Sequence, residues 1–192
     1  NKKINIIHKI VFNFFNNYLN YRFFNFLFKC FHFINFNNKD TFENFFYVQD
    51  KFIDWNRLYG KKGFVEFHIL VPDRYAINFL KLFFTYCQKH KIYSNLIVLK
   101  RLKSNPKYLN FYGNGLAISC DFKIDNNFYK VKKFFLKNSF KYNYSFYLAK
   151  DSQALKDNFI LNKGYHNLKN KLKKYNKNDK FKSNLTRRIG IN

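Results

Sequence analysis

Glu66 and His68 stand two apart in the run FVEFHILVP, residues 64–72, and other polar side chains recur in stretches of the same apolar character. Lys100 closes LIVLK, Ala117, Ser119 and Asp121 alternate along GLAISCDF, and Tyr147 and Lys150 flank Leu148 and Ala149 in SFYLAKDS. In an extended segment, side chains two apart share a face, so Glu66 and His68 project together about 7 Å apart. Such a set could move protons. An imidazole with an ordinary pKa of about 6.5 is a base near neutrality, and packing against Tyr or Phe is the alternative role for His68. Polar residues aligned on one side of a sheet form either a solvated face or the floor of a pocket. Their inner positions on the strands and their aromatic neighbours favour a pocket. Tyr147 and Lys150 add a geometric condition. Residues three apart on a regular strand point to opposite faces, so these two share a site only if the strand ends or twists between them.

The elements that must position these residues follow from periodicity. Ile6, Ile10, Phe14, Phe24, Leu27 and Phe28 recur at helical spacing, which predicts a helix up to about residue 37, broken by NNKDTFEN. A short strand-like FFYV and a polar turn closed by Gly60 and Gly63 lead into FVEFHILVP. That strand turns Val65, Phe67, Ile69 and Val71 to a core, and Phe64, Glu66, His68 and Leu70 to the other face. Pro72 and Asp73 start a helix, with Asp73 as N-cap and Ala76, Phe79, Leu80, Phe83 and Cys87 as its apolar stripe. Strands at NLIVLKRL and LAISCDFKI follow, separated by the loop KSNPKYLNFYGNG. Next comes a helix in NNFYKVKKFFLKN that presents Phe128, Val131 and Phe135. The order strand, helix, strand, strand, helix, strand predicts an α+β fold, a largely antiparallel sheet covered by helices. From Ser152 the pattern changes to one long lysine-laden helical run through Tyr175, expected to pack through Leu155, Phe159, Leu168 and Leu172.

The 192 residues carry 36 Lys and Arg against 11 Asp and Glu, a formal charge of +25, with 47% hydrophobic residues. That suffices for one domain with a sizeable core, or for one domain plus part of another. Strong positive charge points to nucleic acid or an anionic surface, but it speaks to association rather than fold. Lys, Asn, Phe, Tyr and Ile dominate together, as they do where a genome is poor in G and C, and compositional drift is the reading taken. The rival class is a basic, aromatic-rich RNA-binding protein of ribosomal type, in which Lys and Arg would gather on one face among exposed Tyr and Phe. A pocket protein would instead bring Lys100 and Lys150 to one concavity. The sequence has no methionine and begins abruptly, so it is expected to be an internal or C-terminal part of a longer polypeptide. Three scattered cysteines form neither a zinc knuckle nor a disulfide framework, and the five histidines lack metal-ligand spacing. No Walker loop, dinucleotide glycine motif, Gly-x-Ser-x-Gly elbow, signal peptide or uninterrupted apolar span is present. A cytoplasmic protein is expected.

Five stretches carry a resemblance: LNYRFFN (19–25), DWNRLYGKKGFVEFHILVP (54–72), VLKR (98–101), LNFYGNGLAISCDF (109–122) and YLAKDS (147–152), with FKSNLTRRIGI at the end. In this order the chain resembles the C-terminal part of the FAD-linked oxidoreductases of the decaprenylphosphoryl-ribose oxidase and D-arabinono-1,4-lactone oxidase type. The resemblance implies a substrate-binding domain over 1–144 and, over 145–192, a segment that returns to an FAD-binding domain absent from this sequence. It implies FAD as cofactor, held mainly by that domain, and a sugar, polyol or lipid-linked sugar as substrate. A short-chain reductase is a possible partner, nucleic acid is not expected, and a peripheral place at the inner membrane face is compatible.

Residue by residue, Lys150 matches the family's flavin-adjacent lysine, which also reaches the substrate, and Tyr147 a flavin-contacting tyrosine. Lys100 and Arg57 match a pocket lysine and arginine, and Ser119 a position held by cysteine or a small residue. Three positions depart. Glu66 and His68 replace a pair of glutamines, and Ala117 replaces Asn or Thr, which changes the hydrogen-bond set offered to substrate. The implied reaction is oxidation of a secondary alcohol, with Lys150 orienting the hydroxyl. For Lys150 to take the proton as well, loss of solvent must lower its pKa from about 10.4. His68 is a second base that the family pattern lacks.

Overall fold

The computed structural model describes residues 18–34, 41, 42, 46, 59–103, 111, 113–150, 153–159 and 162–191. Its elements run α1 (Tyr18–Ile34), β1 (Phe64–Pro72), α2 (Asp73–Lys89), β2 (Ile97–Leu102), β3 (Gly115–Lys123), α3 (Phe128–Tyr142) and β4 (Ser145–Phe146). A 3-10 turn (Lys156–Phe159), α4 (Lys163–Tyr175) and α5 (Asn184–Ile189) follow.

The sheet order is β2-β3-β1-β4, with every neighbouring pair antiparallel. β3 inserts between β1 and β2, and α2 and α3 each carry the chain across, which is the split βαβ, ferredoxin-like arrangement. The α+β expectation holds. Alternation in β1 and β3 sends Phe67, Ile69, Val71, Ile118, Cys120 and Phe122 to one face, where they are buried against Phe79 and Phe83 of α2 and Phe128, Val131, Phe134 and Phe135 of α3. Phe67 and Phe135 stack with centroids 4.5 Å apart. This core takes the apolar face of the sheet and leaves the face bearing Glu66, His68, Ser119 and Asp121 for other work.

Several local expectations change. Asp73 is not an N-cap but lies in the first turn of α2, after Pro72, and its carboxylate pairs with Arg101 of β2 at 3.1 Å. The long helical run after Ser152 is broken. Asn162 caps α4 by accepting from the Tyr165 amide, and the 3-10 turn precedes it. Of the four residues expected to pack there, Phe159 is buried and Leu172 packs against the core, while Leu155 and Leu168 are exposed. Ala154, Tyr165, Ile189 and Ile191 are buried in their stead, in the same cluster as the sheet core. In α1, Phe24, Leu27 and Phe28 are exposed among the described residues rather than forming an inward stripe. The helix is tied by Tyr21, whose hydroxyl donates to the Ser94 carbonyl and whose ring stacks on Tyr93. Ile6, Ile10, Phe14 and Arg57 lie outside the described residues, as do residues 45, 47 and 48 of the expected strand at FFYV. Phe46 of that strand is helical. None of the described helices is long and apolar enough to cross a membrane.

Candidate functional site

Strand register assembles the site. β1 and β3 pair so that Glu66 faces Asp121, His68 faces Ser119 and Leu70 faces Ala117. On the far side of β3, β2 places Val98 beside Ser119 and Lys100 beside Ala117. The result is a cavity of about 420 Å3 on the open face, floored by Glu66, His68, Ala117, Ser119 and Asp121 and walled by Phe64, Leu96 and Val98. Lys100 and Lys150 both line it.

Lys150 reaches the cavity because the last strand is short. β4 ends at Phe146. The Tyr147 amide donates to the His68 carbonyl at 2.8 Å, and the Lys150 amide donates to the Tyr147 carbonyl at 3.1 Å, so 147–150 forms a turn. The strand thus ends before both residues: Lys150 lines the cavity, whereas Tyr147 is not among its lining residues and packs beside it on His68. The Tyr147 ring lies against His68 (5.0 Å between centroids) and Phe111 (5.1 Å), which also contact each other. Arg57 lies outside the described residues, as do Asp151 and Ser152.

The polar groups on the floor form a connected set around Glu66. Its Oε1 accepts from the Ser119 hydroxyl at 2.5 Å and from Lys150 Nζ at 3.2 Å, and its Oε2 lies 3.1 Å from Lys150 Nζ. His68 Nδ1 sits 3.5 Å from Glu66 Oε1 but outside hydrogen-bond geometry, and it is a buried nitrogen with no hydrogen-bond partner among the described residues. Burial pushes the His68 pKa below its ordinary value. Glu66 opposes that shift, while Lys150 and Lys100 reinforce it. The imidazole is therefore neutral at pH 7 with a nitrogen unengaged. The desolvation expected at Lys150 is not found among the described residues: its side chain is 53% exposed and its ammonium is ion-paired.

One further residue bears on the site from behind the cavity floor. Tyr59, in the segment leading into β1, is fully buried and its hydroxyl donates to Asp121 Oδ2 at 3.0 Å. Asp121 is itself buried and lines the cavity. Burial raises its pKa and Glu66 adds to the rise, while the Tyr59 hydrogen bond and Lys150 counter it. Alternation placed Asp121 beside Ser119 in sequence. Its pairing with Tyr59, 62 residues away, had no sequence signal. Cys120 and Cys87 lie on the core side of the sheet, where burial pushes Cys87 up to about 12 and Cys120 well above the ordinary thiol value.

These features define an α+β domain with a charge-balanced pocket, two carboxylates, two lysines and a neutral histidine, on the open face of its sheet. No family model matches the chain. Over 124 residues it is 27% identical to decaprenylphosphoryl-beta-D-ribose oxidase of Mycolicibacterium smegmatis, an alignment that covers 64% of this chain and 27% of that protein. The aligned region spans about a quarter of that curated relative, so the chain is similar to part of an oxidoreductase.

Proposed function

We propose that the chain is the substrate-binding part of an FAD-dependent oxidoreductase that dehydrogenates a secondary alcohol of a sugar, polyol or aldonolactone. One observation carries the reading: in a chain similar to an oxidase, Glu66, His68, Ser119, Lys100 and Lys150 converge on one cavity from β1, β3, β2 and the turn after β4.

The residues present fit a flavin in part. Among the described residues no glycine-rich turn opens a helix to hold a pyrophosphate, so the reading needs an FAD-binding domain from the rest of the polypeptide. At the ring, Tyr147 would offer an aromatic face, and the half-exposed Lys150 a cation suited to the negative charge of a reduced flavin. Bound FAD would supply the acceptor for the hydride leaving the carbinol carbon. The chain's own residues supply proton handling and orientation. His68, whose pKa burial lowers, is the base that takes the hydroxyl proton, and the Glu66 carboxylate, 3.5 Å from its Nδ1, stabilises the imidazolium formed. Glu66 also holds Lys150 and Ser119 in place, and Lys100 faces the same space from β2. Leu96, Val98 and Phe64 keep that wall apolar.

The test is anaerobic reduction of the purified intact protein by polyols and aldonolactones, followed by flavin absorbance. Bleaching by a substrate is expected, and Lys150→Ala should abolish it while leaving the thermal transition in place. Purification without any flavin spectrum sinks the reading, and full bleaching in Lys150→Ala removes Lys150 from the site.

A further inference from the structure

The two carboxylates that face each other across β1 and β3 differ in what they have left to offer. Glu66 is engaged on both oxygens, by Ser119 and by Lys150. Asp121 is only 4% exposed and lines the cavity, and its Oδ2 accepts one hydrogen bond, from Tyr59. Its Oδ1 receives none from any described residue. That oxygen keeps its acceptor capacity for a group bound in the cavity. Asp121 is also displaced along the floor from His68: its partner in register is Glu66, two residues before. A group bound to both would therefore extend along the strands.

We propose that Asp121, held by Tyr59, is a substrate-reading residue that accepts a hydrogen bond from a second hydroxyl of the bound alcohol, and so selects polyhydroxylated substrates over simple alcohols. The inference rests on the alcohol-oxidising reading above and adds a specificity determinant to it. Tyr59 acts through Asp121 as a positioning residue. The ionisable groups that act on Asp121 are Tyr59 before β1, Glu66 on β1 and Lys150 in the turn after β4, with His68 beyond Glu66 on the same face. Because the Tyr59 hydrogen bond favours the carboxylate against burial, removing it should make Asp121 protonate at a higher pH. A protonated Asp121 loses acceptor capacity, so polyol affinity falls as pH drops through that midpoint.

The experiment is a ligand-observed NMR titration of the intact protein with ribitol and with 1-pentanol across pH. Wild type should prefer ribitol. In Asp121→Asn the ribitol affinity should fall about tenfold or more, the size expected for a hydrogen bond to a charged group, with 1-pentanol binding unchanged. Asn retains an oxygen that can accept from Tyr59, which guards the fold. In Tyr59→Phe the pH midpoint for ribitol binding should move up. Unchanged ribitol affinity in Asp121→Asn overturns the assignment of Asp121 alone. Should that variant fail to fold, an unmoved midpoint in Tyr59→Phe overturns it equally. If neither wild type nor any variant binds ribitol, the alcohol-oxidising reading falls and takes this assignment with it.

Discussion

A histidine beside a carboxylate ordinarily gains affinity for its proton, yet at His68 burial outweighs Glu66. The geometry explains the outcome, since Glu66 is already held by Lys150 and Ser119, while Lys150 and Lys100 both oppose a charged imidazole. The folded-state pKa lies below the unfolded value of about 6.5, so above that pH both states are neutral and the site costs nothing. As pH falls from about 6.5 through the folded pKa, the unfolded chain takes up the proton first and stability declines. His68→Gln, which puts a neutral amide in place of the imidazole, should flatten that decline in denaturant midpoints compared at about pH 5 and about pH 7.5. Removing the charge of Glu66 should act in the opposite sense on His68 itself. In Glu66→Gln the imidazole titration followed by NMR should move further down. Alternation along strands was enough to place Glu66, His68, Ser119 and Lys100 on one face. It was silent on which acceptors are already taken, because that depends on partners 53 to 84 residues away in sequence.

At the scale of elements, the cavity depends on the close approach of β1 and β3. Gly115 faces Pro72 in register, and a Cβ built there would lie 2.2 Å from the Val71 carbonyl oxygen and 2.9 Å from its carbon. Those are backbone atoms of the neighbouring strand, with no rotamer to move aside. Gly115→Ala should therefore destabilise by about 1–3 kcal/mol in chemical denaturation, as overpacking does. Gly63 makes the contrast. A Cβ there meets nothing within 4 Å, and only its φ of +72° resists, so Gly63→Ala should cost about 1–2 kcal/mol without touching the pairing of β1 with β3. The elements themselves were legible wherever two periodicities competed clearly, as in β1, α2, β3 and α3. They were misread where end signals decide. Asn162 stops a run of helix formers by capping α4, and Asp73 trades an expected cap for an ion pair with Arg101.

For the whole molecule, the core is continuous from the sheet and α2 to Phe159, Tyr165, Ile189 and Ile191 near the C-terminal end. The 3-10 turn is tied to α3 by Asn158 donating to the Ser139 hydroxyl at 2.8 Å, and α5 by Arg188 donating to the Ala154 carbonyl. This aromatic, well-packed interior opposes the repulsion of a formal +25. Screening length shortens from about 10 Å at 0.1 M salt to about 3 Å at 1 M, so repulsion among exposed lysines weakens faster than the half-buried pair at Glu66 and Lys150. The unfolding midpoint should rise as salt is added at constant pH. A falling midpoint would mean that ion pairs outweigh repulsion.

The sequence by itself determined the α+β class, the two faces of β1 and β3, and the shared face of Glu66, His68, Ser119 and Asp121, because a period of two is a local property of extended backbone. Tertiary structure alone decided that β4 stops at Phe146 so that Lys150 turns back to Glu66, and that Tyr59 reaches Asp121. It also decided that Lys150 remains half exposed. Strand ends, hydrogen-bond partners and loss of solvent arise from residues far apart in the chain meeting in space, and spacing along the sequence does not encode them.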